Sequence, residues 1–576
     1  MNSKWLIKDA PNLQQVEQLK KEMNVSEVVA YMLVQRGITT FDSAKSFFRG
    51  TLKELHDPFL MKDMERAVER VNIALEEGQK ILIYGDYDVD GTTAISIVYG
   101  YLSQLTDTIA YYIPDRYSEG YGVSEKGIRD AHENGFSLII TLDCGIKANE
   151  KVELANSLGI DMIICDHHTP GKELPDCIVL DPKREDCNYP YKELSGAGVG
   201  FKLIQALATT NGWDEKILFE NLDLLAISIA ADIVPATGEN RLLAQYGLKQ
   251  LNEKTRPGID IMLNLAKKEK PLTLTDVVFT IAPRINAAGR IDDAKKAVVL
   301  LTSQDEKELR SIAQSIHDFN EERRGLDKEI TEHALSIVEN DSDYDQKCTT
   351  VVYHETWHKG VIGIVASRLI ENYYRPTIVL TQSEDGETLT GSARSIKGVN
   401  IYDILENCSD TLLQFGGHYF AAGMTLKNEQ LSNFKLRFEE EVRKVIGAEN
   451  LIPEQIIEKE IHFNQIFNLG ESIYEVPRLM RVLKQFEPHG PQNMKPLFLA
   501  KNVYAHDAKL LKEEHLKMKV FQPDFQKHID AIFFKCPEAL EIVKNGAFDM
   551  VFTLDENNFR GRTTPQFMVK DIRPHL

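Results

Sequence analysis

The side chains with most chemical potential in this chain are acids and imidazoles that close short apolar runs. Gly85-Asp-Tyr-Asp-Val-Asp-Gly91 follows the apolar run 80–84 and sets Asp86, Asp88 and Asp90 at alternate positions. Where a chain is extended, alternation sends all three to one side. The run 138–142 ends in Asp143-Cys-Gly145, the run 162–165 ends in Asp166-His-His168, and the helical run 224–231 ends in Asp232. Carboxylates crowded together repel one another and call for cations. Hard oxygen donors joined by one or two imidazoles suit Mg2+ or Mn2+. A lone Asp-x-Asp reads first as an acidic surface turn. Four such endings on four elements argue otherwise, because the carboxyl ends of parallel strands converge on one crevice. Cys144 and Cys165 flank these groups and read as small core residues. No Ser or Cys nucleophile motif accompanies the acids.

That convergence requires a parallel sheet, and the surrounding pattern supplies one. Strand-like runs at 80–84, 108–113, 138–142, 162–165 and 178–180 alternate with helix-like stretches at 92–105, 124–134 and 149–158, the pattern of an α/β domain. Residues 1–75 read as a helical lead-in, 76–235 as the parallel-sheet domain and 236–345 as a helical connector. In the connector Leu309, Ile312, Ile316, Phe319, Leu326, Ile330 and Ile337 step by threes and fours, which predicts one long amphipathic helix. A second α/β pattern covers 346–450. Residues 451–576 show short β-like runs broken by turns, the mark of a small barrel.

The composition bounds the partners. The chain has 576 residues, 43% hydrophobic and 27% charged, which excludes a mainly disordered protein. No run approaches a membrane span, so no membrane partner is expected. Seven cysteines with no Cys-x-x-Cys pair argue against a disulfide scaffold or a cysteine-rich zinc site. With no signal-peptide core in residues 1–15, the expected compartment is the cytoplasm. The net charge of −20 argues against a protein that coats nucleic acid generally. From Pro453 onward, however, 17 Lys and Arg balance 17 Asp and Glu, so the excess lies entirely in residues 1–452.

Asp166-His-His168 beside Gly-Asp-Tyr-Asp-Val-Asp-Gly resembles the DHH phosphoesterase superfamily. Pro283-Arg-Ile-Asn-Ala-Ala-Gly-Arg290, Gly360-Val-Ile-Gly-Ile-Val-Ala-Ser-Arg368, Gly391-Ser-Ala-Arg-Ser395, Gly416-Gly-His-Tyr-Phe-Ala-Ala-Gly423 and Phe486-Glu-Pro-His-Gly-Pro-Gln-Asn493 resemble the remaining signatures of its single-strand-specific DNA exonuclease branch. The resemblance spans residues 75–576. It implies a DHH catalytic domain, a long connecting helix, a DHHA1-type substrate-binding domain and a C-terminal OB fold. It further implies two divalent cations, Mn2+ or Mg2+, held by Asp86, Asp88, Asp143, His167 and Asp232. His168, Asp90 and Asp166 are the implied catalytic partners, His168 facing the phosphate, orienting a ligand or itself a ligand, and the two acids hydrogen-bonding behind the ligands.

Substrate contacts implied in the same way are Arg116, Arg284, Asn286, Arg290, Ser392, Arg394, Gly417 and His418. Ser392 and Arg394, two apart on a strand, would clamp a terminal phosphate. Arg284 and Arg290 read equally as internal ion-pair partners, and Gly416-Gly417 alone reads as a tight turn. In the barrel, Tyr504, Phe521, Phe525, Phe533 and Phe534 are available for base stacking beside Lys517, Lys519 and Lys527, most of the aromatics being core. The expected function is metal-dependent 5′→3′ hydrolysis of single-stranded DNA to 5′-mononucleotides in repair and recombination. The expected partners are single-stranded DNA, a single-strand-binding protein and a repair helicase. The rivals are a DHH phosphodiesterase of short oligonucleotides or cyclic dinucleotides, and a non-catalytic single-strand-binding replication factor.

Overall fold

Five apolar runs associate as a parallel sheet in the order Ile109–Tyr112, Ile81–Gly85, Leu138–Leu142, Asp161–Cys165 and Ile178–Leu180. The computed structural model describes the chain apart from residues 1–2, 117, 292–293, 448–450, 468–469 and 576, and apart from the side chains of 290, 291 and 526. The chain divides into two compact units, residues 8–317 with 457–576, and residues 1–7 with 318–456.

In the first unit every residue of Ile81–Gly85 and Leu138–Leu142 is buried. Helices Val89–Leu102, Gly196–Asn211 and Leu222–Ala231 cover one face of the sheet. Helices Glu125–Glu133 and Asn149–Ser157 cover the other. Burial on both faces explains why the strands read as continuous apolar runs instead of alternating. The strand Ile81–Gly85 pairs with the next strand in sequence on one side and with Leu138–Leu142 on the other. The direction of winding reverses there, and a crevice opens at the carboxyl ends of those two strands.

The same unit contains the C-terminal barrel. Phe498–Leu511, His515–Gln522, Phe525–Phe533, Arg562–Pro574 and Phe548–Phe559 pair in turn, and the last pairs back to the first. Two of these strands run well beyond their apolar cores. The hairpin continues through pairs such as Glu556↔Pro565 and Asn558↔Thr563, where polar side chains leave no alternation for sequence reading to detect. The barrel shares one apolar core with the N-terminal helices Leu13–Met23, Glu27–Gln35 and Phe41–Arg49. Phe47 and Phe48 each meet Phe486 edge-on at 5.4 Å. Arg241 donates to the carbonyls of Gln485 and Glu487 at 3.1 and 2.9 Å, and the Asn493 amide donates to those of Phe486 and Pro488 at 2.8 and 3.0 Å. The segment 486–493 is therefore a structural knot.

The second unit carries a mixed sheet in the order Gln414–Gly417, Ala421–Lys427, Thr388–Arg394, Thr377–Gln382 and Thr350–Tyr353, with only the last pair parallel. Helix Ile362–Tyr373 packs on one face, and Ile401–Asn407 with Leu431–Val445 on the other. Gly416 and Gly417 are not a tight turn. They pair with Gly423 and Ala422 in an antiparallel ladder, and the chain reverses at His418–Phe420. The connector helix runs over Glu306–Glu339. Its buried stripe includes Asn320 and Asp327 among the apolar positions, and Arg368 satisfies Asp327 with contacts of 2.7–3.0 Å. Among the described residues no helix is long and apolar enough to cross a membrane.

Candidate metal centre

The crevice collects the acids in the way the strand ends dictate. Asp86 follows Gly85, Asp143 follows Leu142, and Asp166-His-His168 follows Cys165. The chain is not extended through Asp90, contrary to the alternation argument. Helix Val89–Leu102 begins earlier than the sequence suggests, with Asp88 as its N-cap accepting from Gly91 N at 3.0 Å. A Cβ on Gly91 would lie 2.4 Å from the Asp86 carbonyl oxygen, so glycine alone permits the turn that brings Asp86 and Asp88 together. Asp143 adopts a left-handed backbone, φ 60°. It packs against Gly196, where a Cβ would stand 2.6 Å from its own.

Three groups of donors lie close enough to share cations: Asp86, Asp88 and Asp143; Asp143, His167 and His168; Asp90, His167 and Asp232. His167 Nε2 is 3.2 Å from Asp143 Oδ1, 3.5 Å from Asp232 Oδ2 and 3.9 Å from Asp90 Oδ2. Asp86 Oδ1, Asp143 Oδ1 and both ring nitrogens of His167 are buried and make no hydrogen bond. Orphaned donors of this kind are costly unless a ligand satisfies them. The donor set thus fits divalent cations, and the five residues expected as ligands all reach the cluster.

Asp90 and Asp166 do other work. Asp90 accepts from Gly196 N at 2.7 Å, Ala197 N at 2.9 Å and the Ser228 hydroxyl at 2.7 Å. Asp166 accepts from Ile146 N at 2.9 Å, His167 N at 2.7 Å and the His168 ring Nδ1 at 2.7 Å. Asp90 is thus tied to the start of helix Gly196–Asn211 and to Ser228, and Asp166 to the His168 ring. Ser195, Gly196 and Ser228, which hold Asp90 or each other, were not found from the sequence. The only hint was Ser195 capping a glycine-rich helix start.

Burial, reinforced by neighbouring acids, raises Asp86 and Asp143 well above the usual carboxylate range, raises Asp88 and pushes Asp232 up to about 8. Burial lowers His167. Burial opposes the charged forms of Asp166 and His168 as well, but their mutual hydrogen bond overcomes it, leaving Asp166 at about 2 and His168 raised. Burial also raises the Cys144 and Cys165 thiols, consistent with core residues and not thiolate ligands.

These directions set a pH dependence. A carboxyl whose folded pKa exceeds its unfolded value of about 3.9 contributes its full stability below that value and loses it as pH rises to the folded pKa. Through Asp232 the metal-free protein loses stability between about pH 4 and 8. Asp166 behaves oppositely, its contribution fading as pH falls from about 4 towards 2. Mn2+ or Mg2+ should therefore raise the melting midpoint more at pH 8 than at pH 6. An equal or smaller rise at pH 8 would show that the acid cluster does not hold the ion.

The chain matches the models of the DHH family, N-terminal domain, over residues 80–229, of the DHHA1 domain over 345–444 and of the RecJ OB domain over 474–571. It is 39% identical over 573 residues to the single-stranded-DNA-specific exonuclease RecJ of Bacillus subtilis, covering 99% of this chain and 70% of that one. It is 36% identical over 539 residues to the Escherichia coli protein of the same name, covering 89% and 91%. The chain belongs to the RecJ family. The crystal structure of RecJ from Thermus thermophilus in complex with Mn2+ superposes with a TM-score of 0.83 at 26% identity, covering 99% of this chain and 79% of that one.

The remaining candidates fall in different surroundings. Arg116 lies over the Tyr87 ring, 4.8 Å from its centre, and lines a cavity of about 510 Å³ with Lys126, Gly289 and Lys295. Arg284, expected as a phosphate contact or an internal ion-pair partner, is buried. It is 6% exposed, donates to the Thr280 carbonyl at 2.7 Å and approaches His317 Nδ1 at 3.5 Å. Asn286 is half-buried on helix Ala282–Ile291, and the Arg290 side chain lies outside the described residues.

In the second unit, Arg394 Nη1 donates to Ser392 Oγ at 3.1 Å and to the Ala393 carbonyl at 2.7 Å. Both side chains lie at the start of helix Ile362–Tyr373, where a Cβ on Gly363 would sit 2.8 Å from Ser392 Oγ and 2.9 Å from Arg394 Nη2. A helix start beside a guanidinium suits an anion, and the sequence does not name this helix as a neighbour of Ser392 and Arg394. Gly417 and His418 stand on the neighbouring hairpin, with His418 N donating to the Ala421 carbonyl at 2.8 Å.

On the barrel, Phe525 is core at 8% exposure. Tyr504 and Phe521 stack at 5.7 Å on the outer face, with His528 4.8 Å from Phe521. Lys517 and Lys519 alternate with buried residues on the same strand.

Proposed function

We propose that this chain is a metal-dependent exonuclease that hydrolyses single-stranded DNA from the 5′ end to 5′-mononucleotides, serving repair and recombination in the cytoplasm. The observation that carries the reading is the set of buried, unpartnered donors on Asp86, Asp143 and His167, in a chain of the RecJ family. A bound pair of divalent cations supplies water activation and charge stabilisation at phosphorus. The protein's own part is to hold Asp86, Asp88, Asp143, His167 and Asp232 around that pair and to aim His168 from Asp166. Arg116 holds the strand near the crevice, and Ser392 with Arg394 reads the terminal phosphate. The partners expected on this reading are a single-strand-binding protein and a repair helicase. Digestion of 5′- and 3′-labelled single strands with Mn2+ or Mg2+ tests it. The first labelled product should be a mononucleotide from the 5′ end; release from the 3′ end first would overturn the polarity.

The barrel separates this reading from a phosphodiesterase of short substrates, which needs no strand-holding face. Phe521→Ala should weaken binding of a 40-mer by about 1–3 kcal/mol at fixed salt, the scale of one stacked base. It should leave dinucleotide hydrolysis nearly unchanged. An unaltered 40-mer affinity would assign that face to something other than DNA.

A further inference from the structure

Asp232 reaches the cluster from a helix end and not from a strand end. It closes helix Leu222–Ala231, and the chain after it takes a costly shape. Ile233 has a left-handed backbone, φ 59°, although it is β-branched and 68% exposed, so core packing does not account for it. Such a backbone persists only where its surroundings fix it, and two ties lie just beyond. The Pro235 carbonyl accepts from the Asn240 side-chain amide at 3.1 Å and from the Tyr191 hydroxyl at 3.2 Å. Ala236 N donates to the Pro491 carbonyl at 2.8 Å.

The same amide reaches a second loop. Asn240 Nδ2 also donates to the Glu193 carbonyl. Glu193 lies two residues before Ser195, the N-cap of helix Gly196–Asn211. At that helix start Gly196 N and Ala197 N hold Asp90, and Gly196 packs against Asp143. One NH2 group thus bridges the loop that carries Asp232 and the loop that backs Asp90 and Asp143. Its orientation is fixed, because both partners are carbonyl oxygens and only the nitrogen can donate to them. Asn240 is fully buried, and its Oδ1 has no hydrogen-bond partner among the described residues. A buried acceptor left in this way costs stability. The residues on either side are anchored separately. Glu239 accepts from the Tyr189 hydroxyl at 2.6 Å and from His56 N at 2.9 Å, and Arg241 donates to the Gln485 and Glu487 carbonyls. The start of helix Gly238–Glu253 is therefore a fixed post from which the amide spans the two loops.

We propose that Asn240 is a positioning residue for the metal centre, its amide setting the spacing between Asp232 and the wall formed by Asp90 and Asp143, and with it the affinity for divalent cations. The inference rests on the reading of the cluster as the cation site of a nuclease. Groups behind the ligands set metal affinity by about 10- to 100-fold, and this amide governs two loops at once.

The test is a Mn2+ titration of the full-length protein without DNA, with free Mn2+ read by electron paramagnetic resonance, beside nucleotide release at limiting and saturating Mn2+. Asn240→Ala should raise the dissociation constant of at least one Mn2+ by about tenfold, the lower end of that range. Nucleotide release should fall by a similar factor at limiting Mn2+ and return close to the wild-type rate at saturating Mn2+. Tyr191→Phe, which removes the other donor to the Pro235 carbonyl, should weaken Mn2+ binding by less. Tyr189→Phe removes a buried hydrogen bond at the adjoining Glu239 and should lower the melting midpoint with Mn2+ affinity unchanged. Wild-type Mn2+ affinity in folded Asn240→Ala, or in Tyr191→Phe if the first variant does not fold, would overturn the inference. So would an equal loss of affinity in Tyr189→Phe, because general loosening and not the amide would then be the cause. A loss of nucleotide release that saturating Mn2+ does not restore would overturn it too. Wild type that binds Mn2+ but releases no nucleotide from any strand would refute the nuclease reading alone. Wild type that binds no Mn2+ would refute the cation site and this inference with it.

Discussion

Asp143→Asn is expected to lower nucleotide release by about 10³-fold, the scale of removing one preorganised group from an active site, while the protein stays folded. Asparagine is the informative replacement because Asp143 holds a left-handed backbone, which asparagine tolerates and alanine pays for. It also keeps the side-chain volume against Gly196. The carboxylate stands among Asp90, Asp88 and Asp232, all of which push its pKa upward along with burial. Removing its charge should therefore raise the melting midpoint of the metal-free protein at pH 8 while abolishing most of the rise that Mn2+ gives. Nucleotide release near the wild-type rate by the folded variant would sink the assignment of this cluster.

Arg394→Ala is expected to weaken kcat/KM on 5′-phosphorylated strands by about 2–3 kcal/mol, the range for a charged hydrogen-bond pair. A terminal monoester carries an extra negative charge and an extra free oxygen relative to an internal phosphate, and a guanidinium fork reads such a group better than an ammonium does. Arg394 is steadied by Ser392 and by its own strand, so the fork is presented at low entropic cost. Strands ending in a 5′-hydroxyl should lose much less. Arg394→Lys should recover part of the loss, because charge returns without the fork. Equal loss on both kinds of end would show that Arg394 holds the strand or the fold and does not read the terminus.

How far each feature could be read in advance follows from the range of the interaction behind it. The sheet of the first unit is legible because both of its faces are covered, so its strands appear as unbroken apolar runs. The acid cluster is legible because each acid sits one residue past such a run, and parallel strands bring their ends together. The barrel's polar strand extensions lack that signal, and the pairing of Gly416 and Gly417 into a ladder looks locally like a turn. Arg284 shows the opposite limit. Its motif marks it, but only packing shows the residue buried and donating to the Thr280 carbonyl.

By itself the order of residues determined the fold class, the acids and imidazole that form the cluster and the need for cations, since local periodicity and like-charge crowding are properties of the chain. The tertiary structure alone decided which acids stay unpartnered and which are consumed. Asp90 is filled by donors more than 100 residues away in Gly196, Ala197 and Ser228, whereas Asp143 Oδ1 keeps none. It likewise decided that helices from residues 13–49 complete the core of a barrel starting near residue 498, and that the Tyr121 hydroxyl comes within 3.4 Å of His168 Nε2. Each of these depends on contacts between segments distant in sequence, whose partners no local pattern names.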